Sequence, residues 1–281
     1  MVNPKYLCLD KGWVEELQIT DSDASIADLA RETTRGKLTK YRPDKEFIRY
    51  LWLHKHFSPF DFPRIRLRFH MPMFVRNQMW RHRTSIKQSS QNKDSELIVE
   101  TDDNDTLQFH NQQEFSGRYW QYNREYYLPP SETLTKPHAR LKQSRGDDLV
   151  PNWEELLRRM EEEQILLDTN YRYYLQNDLS KEVARVNIPL SLYTTFVWEQ
   201  SLRNMLGWLE LRRAQDAQWE IQVYAEIIEH IIKEHFPFTY EVWYDGVEGC
   251  QLAKSDLEEL YKYLDGVVID EKFAKKIKFI N

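Results

Sequence analysis

Between positions 64 and 71 the chain alternates without a break. Ile65, Leu67, Phe69 and Met71 share one parity, and Arg64, Arg66, Arg68 and His70 share the other. Successive side chains of a strand point to opposite faces, so the pattern predicts a half-buried strand with the arginines and His70 on its polar side. Shorter β-like runs occupy residues 6–9 and 13–19. Asp21, Ser22 and Asp23 then offer N-caps for a helix through Ile26, Leu29 and Ala30. Residues 44–56 read as a second helix, with Phe47, Ile48, Leu51 and Trp52 on one face. Pro72 can open a third, carrying Phe74, Val75, Gln78 and Met79 at helical spacing.

The second half is more helical. Pro151 can start a long Glu- and Arg-rich helix over residues 153–174, and Ser180 a short one over 181–185 that Pro189 stops. Residues 190–198, rich in β-branched and aromatic side chains, read as a strand or an extended lead-in. Helical patterns follow at 202–211 and 217–235, with further ordered runs at 238–243 and 257–264, and the basic tail 270–281 reads as peripheral. The expected class is α+β: a modest, mostly antiparallel sheet covered by several helices. Residues 86–110 do not fit a compact core. Two β-like runs flank the turn-forming cluster Asp102-Asp103-Asn104-Asp105, which predicts a projecting hairpin. The cluster lacks the glycine and spacing of an EF-hand loop and reads as a solvated turn.

Composition narrows the function. With 41% hydrophobic residues a real core is available, so a disordered chain is excluded. The net charge of −6 argues against sequence-independent nucleic-acid coating. Only 8 glycines are present, and neither dinucleotide-binding nor P-loop glycine motifs occur. No apolar run is long enough for a membrane span, and no basic stretch followed by an apolar one suggests a signal peptide. Two isolated cysteines, Cys8 and Cys250, predict neither a disulfide framework nor a zinc site, and a reduced, cytoplasmic setting is the simplest expectation. No metal is expected, because no acidic pattern frames His54, His56, His70 and His82.

The chain concentrates arginine in ordered segments, and guanidinium forks grip phosphates and carboxylates. Three ordered blocks sharpen that signal. They are His56-Phe57-Ser58-Pro59-Phe60-Asp61; Arg81-His82-Arg83, resumed later as Glu114-Phe115-Ser116-Gly117-Arg118-Tyr119; and a downstream series. That series comprises Ala184-Arg185, Pro189-Leu190, Leu192-Tyr193-Thr194, Leu211-Arg212 and Ala217-Gln218-Trp219-Glu220-Ile221. Together they resemble the flavin-dependent thymidylate synthases, over roughly residues 5–245. In that family a Ser follows Arg-His-Arg after about seven residues, whereas here about 25 more intervene, a length that closure entropy growing as (3/2)RT ln n tolerates. The 86–110 hairpin is that insertion, and 246–281 is a C-terminal extension of a single domain. Smaller departures are Gln113 for Asn, Asp61 for Glu, Phe62 for a common His, and Ser201 and Gly207 at frequent Asn positions.

The resemblance implies the family's α+β fold and the reductive methylation of dUMP to dTMP. FAD would be the redox cofactor, NADPH the reductant and 5,10-methylenetetrahydrofolate the carbon donor. A homotetramer would build its sites at subunit interfaces. It implies roles by position. Arg212 would bind the uracil and stabilise charge on it, and Gln78, Arg81, Glu114, Ser116, Gly117, Arg118 and Arg185 would surround the rest of dUMP. Thr33, Ser58, Arg81, His82, Arg83, Glu114, Ser201 and Arg203 would contact FAD, with His56 beside the flavin ring. Ser116 has no His-Asp pair spaced to activate it, which favours a hydrogen-bonding role. Neither cysteine lies near the Arg clusters in sequence, so a mechanism without an enzyme thiolate suits the chain. Two alternatives remain open at this point: a non-catalytic nucleotide-binding or assembly protein derived from the family, and a relative that transfers a different one-carbon group to a pyrimidine nucleotide.

Overall fold

Ile65, Leu67, Phe69 and Met71 are all fully buried, so the alternation does mark one face of a strand against the core. The computed structural model describes residues 3–32, 43–81, 111–118, 121–122, 124–140 and 144–247. The expected hairpin at 86–110, the run at 257–264 and the tail at 270–281 lie outside these. By contacts the chain divides into Met1–Tyr240 and Glu241–Asn281. Of the second unit, the described residues 241–247 continue the last helix.

The elements in chain order are β1 (Lys5–Cys8), β2 (Gly12–Ile19), α1 (Asp23–Glu32), α2 (Asp44–Leu53), β3 (Arg64–Pro72) and α3 (Met73–Arg81). Next come β4 (Asn111–Glu114), β5 (Thr135–Pro137), β6 (Arg145–Leu149), α4 (Trp153–Gln176) and α5 (Lys181–Ala184). The series closes with β7 (Tyr193–Ser201), α6 (Leu202–Arg212), α7 (Trp219–His235) and α8 (Pro237–Val247). The main sheet has the order β1-β2-β3-β7-β4, every pair antiparallel, and β5 pairs with β6 apart from it. The expected α+β class and mostly antiparallel sheet are therefore present. β3 and β7 pair along nine residues, from Arg64 opposite Ser201 to Pro72 opposite Tyr193. Residues 190–198 thus resolve as a strand that starts and ends three residues later than expected. Ile221, Tyr224, Ala225, Ile228, Ile231 and Ile232 bury one face of α7, the helical spacing that makes it a core helix.

Three local expectations change in detail. His70 shares the arginine face as expected but is buried there, because its ring is sandwiched between Trp13 (5.4 Å) and Tyr193 (4.8 Å). The helix expected over 44–56 stops at Leu53, and Lys55 takes a left-handed backbone (φ 60°), which ends helical propagation before His56. Of the three caps offered, Ser22 serves α1, its Oγ accepting from the Ser25 N–H at 3.4 Å, whereas Asp23 does not. Its carboxylate accepts from the backbone N–H groups of Phe238 (2.6 Å) and Thr239 (3.1 Å) at the start of α8.

Candidate active site

Arg212 closes α6, and its Nη2 donates to the backbone carbonyl of Gln78 on α3 at 2.7 Å. Its Nε is buried with no hydrogen-bond partner, and no carboxylate pairs with it among the described residues. Burial lowers its pKa, because the charged form is stripped of water without a counter-ion. A guanidinium stays protonated all the same. The site therefore holds a desolvated cation with donor capacity to spare, a group suited to an anionic or polarised carbonyl oxygen.

Gln78 is steadied from α7. Its Nε2 donates to Gln218 Oε1, Gln218 Nε2 donates to Glu220 Oε2 at 2.8 Å, and Glu220 accepts also from Tyr127 at 3.0 Å and pairs with Arg145. Gln218 and Glu220 belong to a block that the sequence singled out, yet their joint role becomes visible only once α7 lies beside α3. Arg145 carried no signal at all.

The second half of the split signature re-enters through β4. Glu114 accepts from Thr194 at 2.9 Å and pairs with Arg76 at 2.9 Å, while Arg76 also covers Trp80 at 4.0 Å. The backbone then turns through Ser116, whose Oγ accepts from the Arg118 N–H at 3.4 Å. Gly117 is buried, and a Cβ there would fall 2.3 Å from the Tyr122 ring, so any larger residue requires that ring to move. Arg118 reaches Glu182 on α5 at 3.4 Å, which brings the turn beside the segment carrying Arg185. Arg185 lies within electrostatic reach of Tyr171, whose hydroxyl lies against the backbone of Tyr122. Tyr122 and Tyr171 line a cavity of about 730 Å³ with Arg124, Asp168 and Arg172.

A third group forms around Asp61. Its carboxylate accepts from Ser201 Oγ at 3.2 Å and from Arg203 at 3.1 Å. Ser201 also caps α6 through the Asn204 N–H at 3.3 Å, so its buried hydroxyl is engaged on both sides. Arg203 lies over Phe57 at 4.7 Å. This holds the His56–Asp61 segment against α6, with Ser58 exposed at the head of a 3-10 turn. His56 is exposed too, and its ring neighbours are Tyr50 (6.2 Å) and His54 (6.4 Å), with no other candidate residue among them. Thr33, His82 and Arg83 lie outside the described residues, as does the side chain of Arg81.

Cys8 sits where a nucleophile would fail. Burial pushes its thiol up to about 12, and Tyr224 is its hydrogen-bond partner. Almost no thiolate exists there at neutral pH. Cys250 lies outside the described residues. No helix among the described residues is long and apolar enough to cross a membrane.

The family model described as "Thymidylate synthase complementing protein" matches residues 16–238. A flavin-dependent thymidylate synthase of Thermus thermophilus is 34% identical over 272 residues, 96% of this chain and 88% of its own. One from Wolbachia pipientis wMel is 31% identical over 261 residues, 92% of this chain and 83% of its own. Among solved structures, a UMP/dUMP methylase PolB from Streptomyces cacaoi, bound with 5-Br dUMP, aligns with a TM-score of 0.66. It does so at 22% identity, over 83% of this chain and 94% of that one, a likeness of fold.

Proposed function

The chain belongs to the family of the flavin-dependent thymidylate synthases, and on that footing we propose how its own residues serve the methylation of dUMP to dTMP. The observation that carries the reading is Arg212: a half-buried guanidinium with a buried, unpartnered Nε, seated against Gln78. As the uracil ring is attacked, negative charge spreads onto its carbonyl oxygens. A fixed cation in a desolvated setting stabilises that charge without having to reorganise. Cys8, kept protonated by burial, is unsuited to attack the ring, which accords with this electrostatic route.

The remaining groups divide by chemistry. The Ser116–Arg118 turn offers a hydroxyl, backbone N–H groups and a guanidinium next to Arg185, the donor set a sugar phosphate requires. Glu114 is held by Arg76 and Thr194 and orients the start of that turn. The flavin ring and its pyrophosphate are assigned to the guanidinium of Arg203, held against the His56–Asp61 segment by Asp61, and to the exposed hydroxyl of Ser58 and imidazole of His56 on that segment. Thr33, Arg81, His82 and Arg83 would complete the set, while Ser201, buried and engaged by Asp61 and the Asn204 N–H, would hold Asp61 rather than touch FAD. FAD bound there would supply the two electrons that NADPH delivers to a carbon donated by 5,10-methylenetetrahydrofolate.

The assembly is proposed as a homotetramer with sites shared between subunits. Ile165, Leu166 and Tyr173 on α4, and Val186 and Leu190 after α5, are exposed apolar side chains that a subunit interface would cover.

The test is a nucleotide mass assay. The protein is incubated anaerobically with dUMP, FAD, NADPH and methylenetetrahydrofolate. A product heavier than dUMP by one methylene, formed only when all four are present, is expected. No product, with flavin and dUMP still bound, would replace the synthase with a non-catalytic nucleotide-binding protein. A product of another mass would keep the enzyme and change the transferred group.

A further inference from the structure

We infer that Glu220 and Gln218 form a hydrogen-bond relay that fixes the orientation of the Gln78 side-chain amide, so that the site reads uracil and rejects cytosine. The inference rests on the proposed function, because it assumes that a pyrimidine nucleotide lies against Arg212.

The argument is one of polarity. Glu220 is almost fully buried, paired with Arg145 and accepting from Tyr127. A carboxylate in that state has only lone pairs to offer. Gln218 must therefore turn its NH₂ toward Glu220, and it does, at 2.8 Å. The opposite setting would press the Gln218 carbonyl oxygen against the carboxylate. With its nitrogen committed, Gln218 presents Oε1 to Gln78, and Gln78 answers with Nε2. Each amide is thus set by the one behind it, starting from a residue that cannot donate. The end of the relay is Gln78 Oε1, an acceptor with no hydrogen-bond partner among the described residues.

Arg212 donates to the backbone carbonyl of the residue that carries this acceptor. Uracil presents a donor, N3–H, between two carbonyl acceptors. Gln78 Oε1 can accept from N3–H while Arg212 donates to an adjacent carbonyl. Cytosine presents a bare lone pair at N3 and would meet the oxygen lone pair to lone pair. The same polarity argues against Gln78 as a phosphate ligand, since phosphate has only acceptor oxygens and the amide nitrogen is already engaged. Gln78 is therefore assigned to the base, and Glu220 and Gln218 are positioning residues that act through it.

The experiment uses the flavin-loaded protein and equilibrium dialysis with three probes: dUMP, dCMP and deoxyribose 5-phosphate. Wild type is expected to hold dUMP well above dCMP. Gln218→Leu leaves the Glu220–Arg145 pair in place and frees the Gln78 amide to rotate. It should lower the dUMP-to-dCMP preference about tenfold, the scale of one neutral hydrogen bond, with deoxyribose 5-phosphate unaffected. Glu220→Gln, which gives position 220 an NH₂, should shift the ratio in the same direction. Equal weakening of all three probes in both variants would overturn the relay and reduce the network to scaffolding. An unchanged ratio would overturn it as well. Failure of the wild type to bind dUMP would overturn the proposed function itself, and the relay with it.

Discussion

Arg76 Nη2 lies 2.9 Å from Glu114 Oε1, so a helix that ends at Arg81 and a strand that begins at Asn111 are joined by an ion pair across the split in the family signature. Only 12% of the Arg76 side chain and 23% of that of Glu114 is exposed, which keeps the pair from being screened away as a surface contact would be. Arg76→Ala should destabilise the protein by about 2 kcal/mol, the range for hydrogen bonds to charged groups. It should also raise the concentration of dUMP needed for half-saturation. Denaturant unfolding and nucleotide titration measure the two effects; an unchanged dUMP affinity would detach Arg76 from the site.

Arg212→Ala should fold normally and lose turnover by about 10²- to 10³-fold, as when a preorganised donor to developing charge is removed. Arg212→Lys should not restore it, because an ammonium on a flexible stem cannot serve the carbonyl of Gln78 and a base oxygen in one plane. Single-turnover rates read the loss, and wild-type rates in the alanine variant would remove the assigned role.

Cys8→Ser should leave turnover within a few-fold of wild type. The thiol is buried and held up at about 12, so the reaction has no use for it. Loss of turnover in a folded variant would return a thiolate to the mechanism.

Gly117→Ala should cost about 1–3 kcal/mol through overpacking, since its Cβ would meet the Tyr122 ring at 2.3 Å. Truncating that ring, in Gly117→Ala with Tyr122→Ala, should recover part of the stability. Thermal unfolding of the single and double variants tests the contact directly.

His70 sets a pH dependence. Burial lowers its pKa below the ordinary 6.5, the opposing pull of Glu125 being the smaller effect and Lys5 adding to the lowering. Above 6.5 the folded and unfolded chains both hold it neutral, and it contributes no slope. Below that value the unfolded chain takes up the proton and the folded chain does not. Stability therefore falls with acidification, by up to about 1.4 kcal/mol per pH unit until the folded group also titrates. His70→Gln should flatten the wild-type profile between neutrality and that lower pKa; parallel profiles would show that other groups set the slope.

What was legible in the chain was what periodicity encodes. The alternation at 64–71 marked β3, and the helical spacing of α7 marked a core helix, because each follows from neighbours in sequence. His70 escaped because its burial comes from Trp13 and Tyr193, side chains on the two strands that flank it. Asp23 read as a local cap because that is the commonest use of an acid before a helix, and its real partners are 215 and 216 residues away. Glu220 stands out in the sequence only as one member of the block 217–221, and only the approach of Gln218, Tyr127 and Arg145 reveals what it governs. Pattern reports the faces of an element; chemistry at a site depends on which faces meet.

The β3–β7 ladder joins residues such as Arg66 and Glu199, 133 positions apart. During synthesis, β3 leaves the ribosome with one edge open and an apolar face uncovered long before its partner strand exists. Contacts of such sequence separation slow folding, and exposed edges invite pairing with other chains. Productive folding of this protein is therefore decided late, when residues 193–201 arrive, and the nascent chain before that point is the species that a chaperone would have to protect.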